Sequence, residues 1–336
     1  PLFTTALLAD YFIKLYKYKF LFSNNLSYNF TGVYWKEDDD KCSYLHNYID
    51  TKFVKELEFY YTRTNEKLNK ALLNATSDNK EIIVKKLEKL NKFLRSVQTL
   101  RNIKVRKPVL EEILIKLTNN EVQFDVKPHL FAFQNKVYDL AKGDFVKPNA
   151  TDYVSVTTGY NYIDNYDLEG KKKLLFDKVL DVALPNKETQ NHYLKALSTG
   201  LYGAQIPNLV IATGEGGNGK SVINELTLSS LGNYGYALPS NVLTTPIKDG
   251  PNPQMYNLKN KRLAIGQEPD AHKSVCCSAV KALTGNGTLN VRDNYMSSAQ
   301  CNGILLKLVL FVECTMWSWY LVPRFCHTPP GSFHSQ

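Results

Sequence analysis

Apolar residues recur at Ile83, Leu87, Leu90, Leu94 and Val97, with Lys85, Lys86, Lys89, Lys92 and Arg95 between them. Alternating steps of four and three put one apolar face on a helix of 3.6 residues per turn, and the segment 52–118 is expected to be strongly helical. The lysine-rich face has two readings, a solvated helix surface or a surface for nucleic acid, and charge runs of this kind are more often the former. Upstream, residues 1–50 read as short strands and turns, with aromatics clustered in Tyr28-Asn-Phe-Thr-Gly-Val-Tyr-Trp35 and an acidic run from Glu37 to Asp40. From Pro128 the period changes to two. Leu130 to Leu140 alternates as a hairpin turning at Asn135-Lys136, with a second turn at Gly143-Asp144. The polar segment 161–173 is the expected domain boundary, and beyond it strand-like and helix-like segments alternate as in an α/β core.

Within that second half, residues 214–221 read Gly-Glu-Gly-Gly-Asn-Gly-Lys-Ser, the pattern of a phosphate-binding loop. Asn208-Leu-Val-Ile-Ala-Thr213 reads as a buried parallel strand entering the loop. Val222, Ile223, Leu226 and Leu231 give the following helix an apolar side, and Gly232 is its natural stop. The residue types suit the chemistry. Gly214, Gly216, Gly217 and Gly219 let backbone N–H groups curl around phosphate oxygens at a helix N-terminus, with Glu215 and Asn218 completing the loop. Lys220 supplies a point charge to the β- and γ-phosphates, and the Ser221 hydroxyl is suited to Mg²⁺. ATP and Mg²⁺ are therefore the expected cofactors.

A phosphate cradle needs an acidic partner to hydrolyse anything. Leu263 to Ile265 read as a short strand, and Glu268 follows it where a carboxylate could polarise the attacking water. Gln267 occupies the place of a metal-associated acid, where a neutral amide can hold a metal-bound water but adds no charge. Asn286-Gly287 is a hairpin turn signal, and Lys281 and Arg292 around it are candidate contacts to a phosphate backbone.

Charge and cysteine content alter this picture little. The formal net charge of +9 points weakly to a polyanionic partner. The six cysteines form no CxxC pair and have no histidine spacing suited to zinc, so reduced thiols are expected rather than disulfides. The apolar start lacks a basic n-region and a cleavage site, and a chain opening on Pro1 suggests a piece of a longer reading frame. Lys307 and Glu313 interrupt the last apolar stretch, which argues against a membrane span. Met316-Trp-Ser-Trp-Tyr-Leu-Val322 and the residues after it differ in composition from everything upstream.

Taken together, these segments resemble the superfamily 3 helicases, specifically the primase–helicases of poxviruses and giant viruses and related phage and plasmid primases. The resemblance is carried by residues 214–221, Leu231-Gly-Asn-Tyr234, Asn257 to Ile265 with Glu268-Pro-Asp270, and Lys281-Ala-Leu-Thr-Gly285 with Val291-Arg292. Upstream it is carried by Asn29 to Asp38 and Phe131 to Leu140. It implies an α/β P-loop NTPase core with an AAA+-like parallel sheet, preceded by a mainly helical α+β helicase-associated domain that lacks the primase domain. The expected boundaries are 1–165 for the helical domain, with its β-hairpin near 130–145, then 174–314 for a truncated ATPase core, and 315–336 for a disordered or non-native tail.

The resemblance further implies an ATP-dependent DNA helicase acting on single-stranded DNA, forming a hexameric ring in the full-length parent, and working inside the cell where viral DNA is replicated. Lys220 and Ser221 would bind nucleotide and Mg²⁺, Glu268 would activate water, and the hairpin around Arg292 would touch DNA. Three departures from the family pattern stand out, of which the last two favour an alternative, a truncated module that binds nucleotide and DNA with little or no turnover. The hairpin turn Gly285-Asn-Gly287 has no acid, Thr315 stands where a γ-phosphate-sensing asparagine is expected, and Arg324 is the only downstream arginine to serve as a finger. A third possibility, a P-loop kinase or transferase, would call for a lid-like Arg-rich insert that the chain does not contain.

Overall fold

A computed structural model of the chain describes residues 4–164, 167–203, 209–214, 217, 219–247, 250–266, 274–284, 291–292 and 307–313. The chain divides into two compact units. One holds residues 1–124 and 149–155, the other 125–148 and everything from 156 onward.

The first unit opens on a helix, not on the expected strands and turns. α1 (Thr5–Tyr16) starts where the Thr4 hydroxyl accepts from the Leu7 N–H at 3.3 Å, and it buries Leu8, Ala9 and Phe12. A three-stranded antiparallel sheet follows, made of β1 (Phe20–Ser23), β2 (Leu26–Phe30) and β3 (Trp35–Glu37). The acidic run has a local structural task at α2 (Ser43–Tyr48): Asp38 accepts from the N–H groups of Tyr44 and Leu45 at 3.0 and 3.1 Å, and Asp39 from that of Ser43 at 2.8 Å. The hydrogen bonds from Ser43 hold the Asp39 carboxyl below its usual range.

The expected helical region is present as α3 (Val54–Leu73), α4 (Ser77–Thr99) and α5 (Ile103–Leu117). On α4 the inward stripe is Leu90, Phe93 and Val97, continued by Leu100 just past its end, while the lysines of the helix are exposed. Pro108 lies inside α5, yet the helix continues and buries Arg106, Val109, Leu110, Ile113 and Leu117 along one face. Residues 149–155 return to this unit at β3. The Trp35 indole N–H donates to the Ala150 carbonyl at 2.7 Å, and the Trp35 backbone N–H to Val154 at 2.7 Å.

The second unit begins with the expected hairpin, as β4 (Leu130–Ala132), β5 (Val137–Asp139) and β6 (Asp144–Val146) in antiparallel order. Helices α6 (Leu168–Leu175), α7 (Asp181–Ala183) and α8 (Lys187–Ser198) follow. Next come β7 (Leu209–Gly214), α9 (Lys220–Leu231), β8 (Gly235–Leu238), β9 (Gly250–Pro251), α10 (Pro253–Tyr256), β10 (Leu263–Gly266), α11 (Cys277–Thr284), β11 (Val291–Arg292) and β12 (Lys307–Glu313). β7, β12, β10 and β8 lie side by side in that order, and every pair is parallel.

The hairpin near 130–145 therefore belongs with the second half, not with the helical first half, and the boundary expected at 161–173 falls inside the second unit. The physical reason is Arg262. Its guanidinium donates to the Leu130 carbonyl at 2.6 Å and to that of Leu201, and it lies 4.3 Å from the Tyr234 ring centroid. Tyr234 in turn stacks on Phe131 at 4.8 Å and accepts from the Ala132 N–H at 3.2 Å. Phe131 shares a buried cluster with Ile223, Leu231, Leu263 and Ile265, so the hairpin is part of the core under β10 and α9.

Candidate nucleotide site

β7 delivers the chain to Gly214, and α9 begins at Lys220. Between them Gly217 and Gly219 adopt φ of +75° and +89°, a left-handed backbone that side chains other than glycine seldom take. Helix α9 thus opens with backbone N–H groups that have no partner four residues earlier within the helix, and its positive dipole end faces the loop. Ser221 is exposed and Lys220 half-buried. A helix start of this kind, with unpartnered N–H groups and a lysine as its first residue, is the sort of backbone that suits an anionic oxygen.

Gly219 is required on a second ground. A Cβ there would lie 2.9 Å from the Cβ of Ala183 in α7. Sequence reasoning did not single out this segment; the signal for the helix after α7 was Asn186, whose side chain accepts from the Thr189 N–H at 2.9 Å and caps α8. Asp181 accepts from Lys187 and, at 2.8 Å, from Gln190, and those two bonds, Lys187 foremost, hold its carboxyl below the usual range. The Gln190 amide also reaches the Leu184 carbonyl at 3.2 Å. α8 touches α9 directly, through the Tyr193 hydroxyl donating to Asn224 at 3.0 Å. The loop is thus backed by a hydrogen-bonded segment that fixes its helical end.

Two expectations about the flanks need correction. β7 is not fully buried: Ile211 is 40% exposed, because β7 stands at the edge of the four described strands. On α9, Ile223 and Leu231 face the core, whereas Val222 and Leu226 are exposed. Gly232 ends the helix as expected, at φ +53°.

β10 is buried along its whole length and, being parallel to β7, leaves the sheet at the same edge as the loop. It is not beside β7. β12 lies between them, so the two strands stand roughly 10 Å apart, twice the usual spacing. Through β12 the last residue of β10, Gly266, lies level with Ile211, three residues before Gly214. Glu215, Gly216, Asn218, Gln267, Glu268 and Thr315 lie outside the described residues, as does the turn at 285–287. Lys281 is on an exposed face of α11, and Arg292 belongs to a two-residue strand that pairs in parallel with Gly250–Pro251. The described residues thus bring Gly214, Gly217, Gly219, Lys220 and Ser221 together as one loop and helix start, and place Lys281 and Arg292 on other elements.

Among the described residues no cluster of three or more metal-binding side chains occurs, and no helix is long and apolar enough to cross a membrane. Cys42, Cys276 and Cys277 are free thiols.

The described residues form a mainly helical first unit and a second unit with four parallel strands and a glycine-containing loop after β7, and relatives place the chain in a family. Residues 9–185 match the family described as D5 N terminal like, which is more than half of the 336 residues. The chain belongs to that family, the viral primase–helicases of the D5 type. It is 24% identical to "Putative helicase 121R" of Invertebrate iridescent virus 3 over 93% of this chain and 35% of that protein. It is 27% identical to "Putative helicase L207/L206" of Acanthamoeba polyphaga mimivirus over 83% of this chain and 29% of that one. With "Primase D5" of Fowlpox virus the identity is 29%, over 55% of this chain and 24% of the relative. The chain spans about a third of the length of the first two relatives.

Proposed function

We propose that this chain is the ATPase region of a viral replication primase–helicase, which uses P-loop ATP hydrolysis to move on single-stranded DNA. The observation that carries the reading is the left-handed pair Gly217 and Gly219 set directly before α9, with Lys220 as the first helical residue. In this reading the loop amides bind phosphate oxygens, the Lys220 ammonium neutralises the β- and γ-phosphates, and Ser221 is the protein ligand of Mg²⁺. Mg²⁺, when bound, supplies charge neutralisation across the terminal phosphates. Glu268, two residues past the end of β10, takes a proton from the attacking water. The order β7-β12-β10-β8, with one strand between β7 and β10, supports an AAA+-like core.

Relatives named helicase and primase support DNA as the partner; single-stranded DNA as the track, a ring of copies in the full-length protein and action at the site of viral DNA replication are parts of the proposal. DNA-stimulated ATP turnover by the full chain, abolished in Lys220→Ala, tests the reading; absence of turnover at any protein concentration, with and without DNA, would refute it for this chain. Thr315 and the lone downstream Arg324 favour a second reading, binding without turnover. In that case nucleotide binds to the chain, but its turnover equals that of Glu268→Gln.

A further inference from the structure

A cavity of about 350 Å³ opens on the first unit, between the end of α1, β1, the end of α5 and the returning segment 149–155. Its size falls at the lower end of the range for small-molecule sites. The walls are aromatic, from Tyr18, Phe20, Trp35 and Tyr153, and its two charged residues are Lys17 and Lys116; no carboxylate lines it. Lys116 is paired with Asp10 at 2.7 Å, whereas Lys17 has no carboxylate partner among the described residues and lies 5.4 Å from the Tyr18 ring centroid. Tyr18 is 64% exposed at the mouth.

Tyr153 holds φ of +47°, a conformation uncommon for a bulky side chain, and its ring lies 6.2 Å from that of Trp35 at an interplanar angle of 20°. Backbone strain of this sort concentrates where a side chain is held ready for a ligand. Flat rings beside unpaired cationic charge form the surface that single-stranded nucleic acid uses, with bases on the rings and phosphates on the lysines.

We propose that this cavity takes one base of single-stranded nucleic acid, with Tyr18 as the stacking platform and Lys17 on the adjoining phosphate. The proposal rests on the reading that this chain handles single strands, and adds a site on the helical unit apart from Lys281 and Arg292. Its test is fluorescence-anisotropy titration of the full chain with dT12, rU12 and a twelve-unit abasic deoxy-oligomer of equal charge. Tyr18→Ala should weaken dT12 or rU12 binding about 5- to 140-fold, the range for loss of one base–aromatic stack, and leave abasic binding unchanged. The sugar giving the larger ratio identifies the strand. Lys17→Ala should lower the salt slope by about 0.7, the value for one phosphate contact on a single strand. Trp35 emission should be quenched by the base-bearing oligomers, and the quench should vanish in Trp35→Phe. Oligomer binding by the parent chain with no change in Tyr18→Ala, or with an equal loss for the abasic oligomer, overturns the site and leaves the single-strand reading standing. No binding of any oligomer by the parent chain overturns both.

Discussion

Arg262 is a buried cation held by two backbone carbonyls and two rings, with the Asp125 carboxylate acting favourably on its charge. Replacing it by Met leaves the carbonyls of Leu130 and Leu201 unpaired in the interior, so Arg262→Met should cost about 3–5 kcal/mol in urea unfolding, with Arg262→Lys between it and the parent. Its neighbour Tyr234 donates to the Val156 carbonyl at 2.6 Å, and burial pushes its hydroxyl from 10.0 up to about 12. Burial also pushes Tyr16 to about 12. The folded state therefore holds these protons more tightly than the unfolded chain. Stability is complete below about pH 10 and is lost as pH rises from about 10 towards about 12. The urea midpoint should fall across that window, and Tyr234→Phe should fall less steeply. Gly219 and Lys220 were legible in the sequence because their task is local, a turn and a charge. Arg262 was not, because its partners lie 132 and 61 residues away and nothing near it announces them.

Among elements, the long amphipathic helices and the 130–145 hairpin were legible, since each writes its period in contiguous residues. α1 was not: its apolar start looked strand-like, and the cap from Thr4 was the signal to read. β7 reads as buried because parallel strands usually are, but an edge position leaves one flank open. The end of α9 offers a sharp test. A Cβ on Gly232 would lie 1.8 Å from the Thr158 carbonyl oxygen, and its φ is already left-handed. Gly232→Ala should cost about 3 kcal/mol, read as a lower thermal midpoint, since the obstacle is backbone that cannot turn aside. Gly217→Ala meets no atom within 4 Å, so its penalty should be conformational only and smaller.

Across the whole molecule, the two units are interleaved in sequence, which explains why a boundary drawn from composition alone failed. Segment 149–155 serves one unit while the residues on both sides of it serve the other. The proposed nucleotide loop belongs wholly to the second unit. MgATP at about 100 times its Kd should then stabilise that unit by about 2.7 kcal/mol, and hydrogen exchange should slow in α9 and β10 but not in α4. Slowing of equal size in α4 would mean that the units unfold together.

β12 is the last described strand in the chain, yet it fills the gap between β7 and β10. On a ribosome β7 and β10 emerge first, with facing edges and no strand to join them, until residues 307–313 follow. The first unit lacks only segment 149–155, which leaves the ribosome long before β12, so it can fold while the parallel sheet waits. A premature stop between Gly266 and Lys307 would release two unpaired strand edges at once, the kind of surface that recruits other chains into aggregates. Synthesis halted there should yield insoluble product, whereas synthesis continued through Glu313 should not.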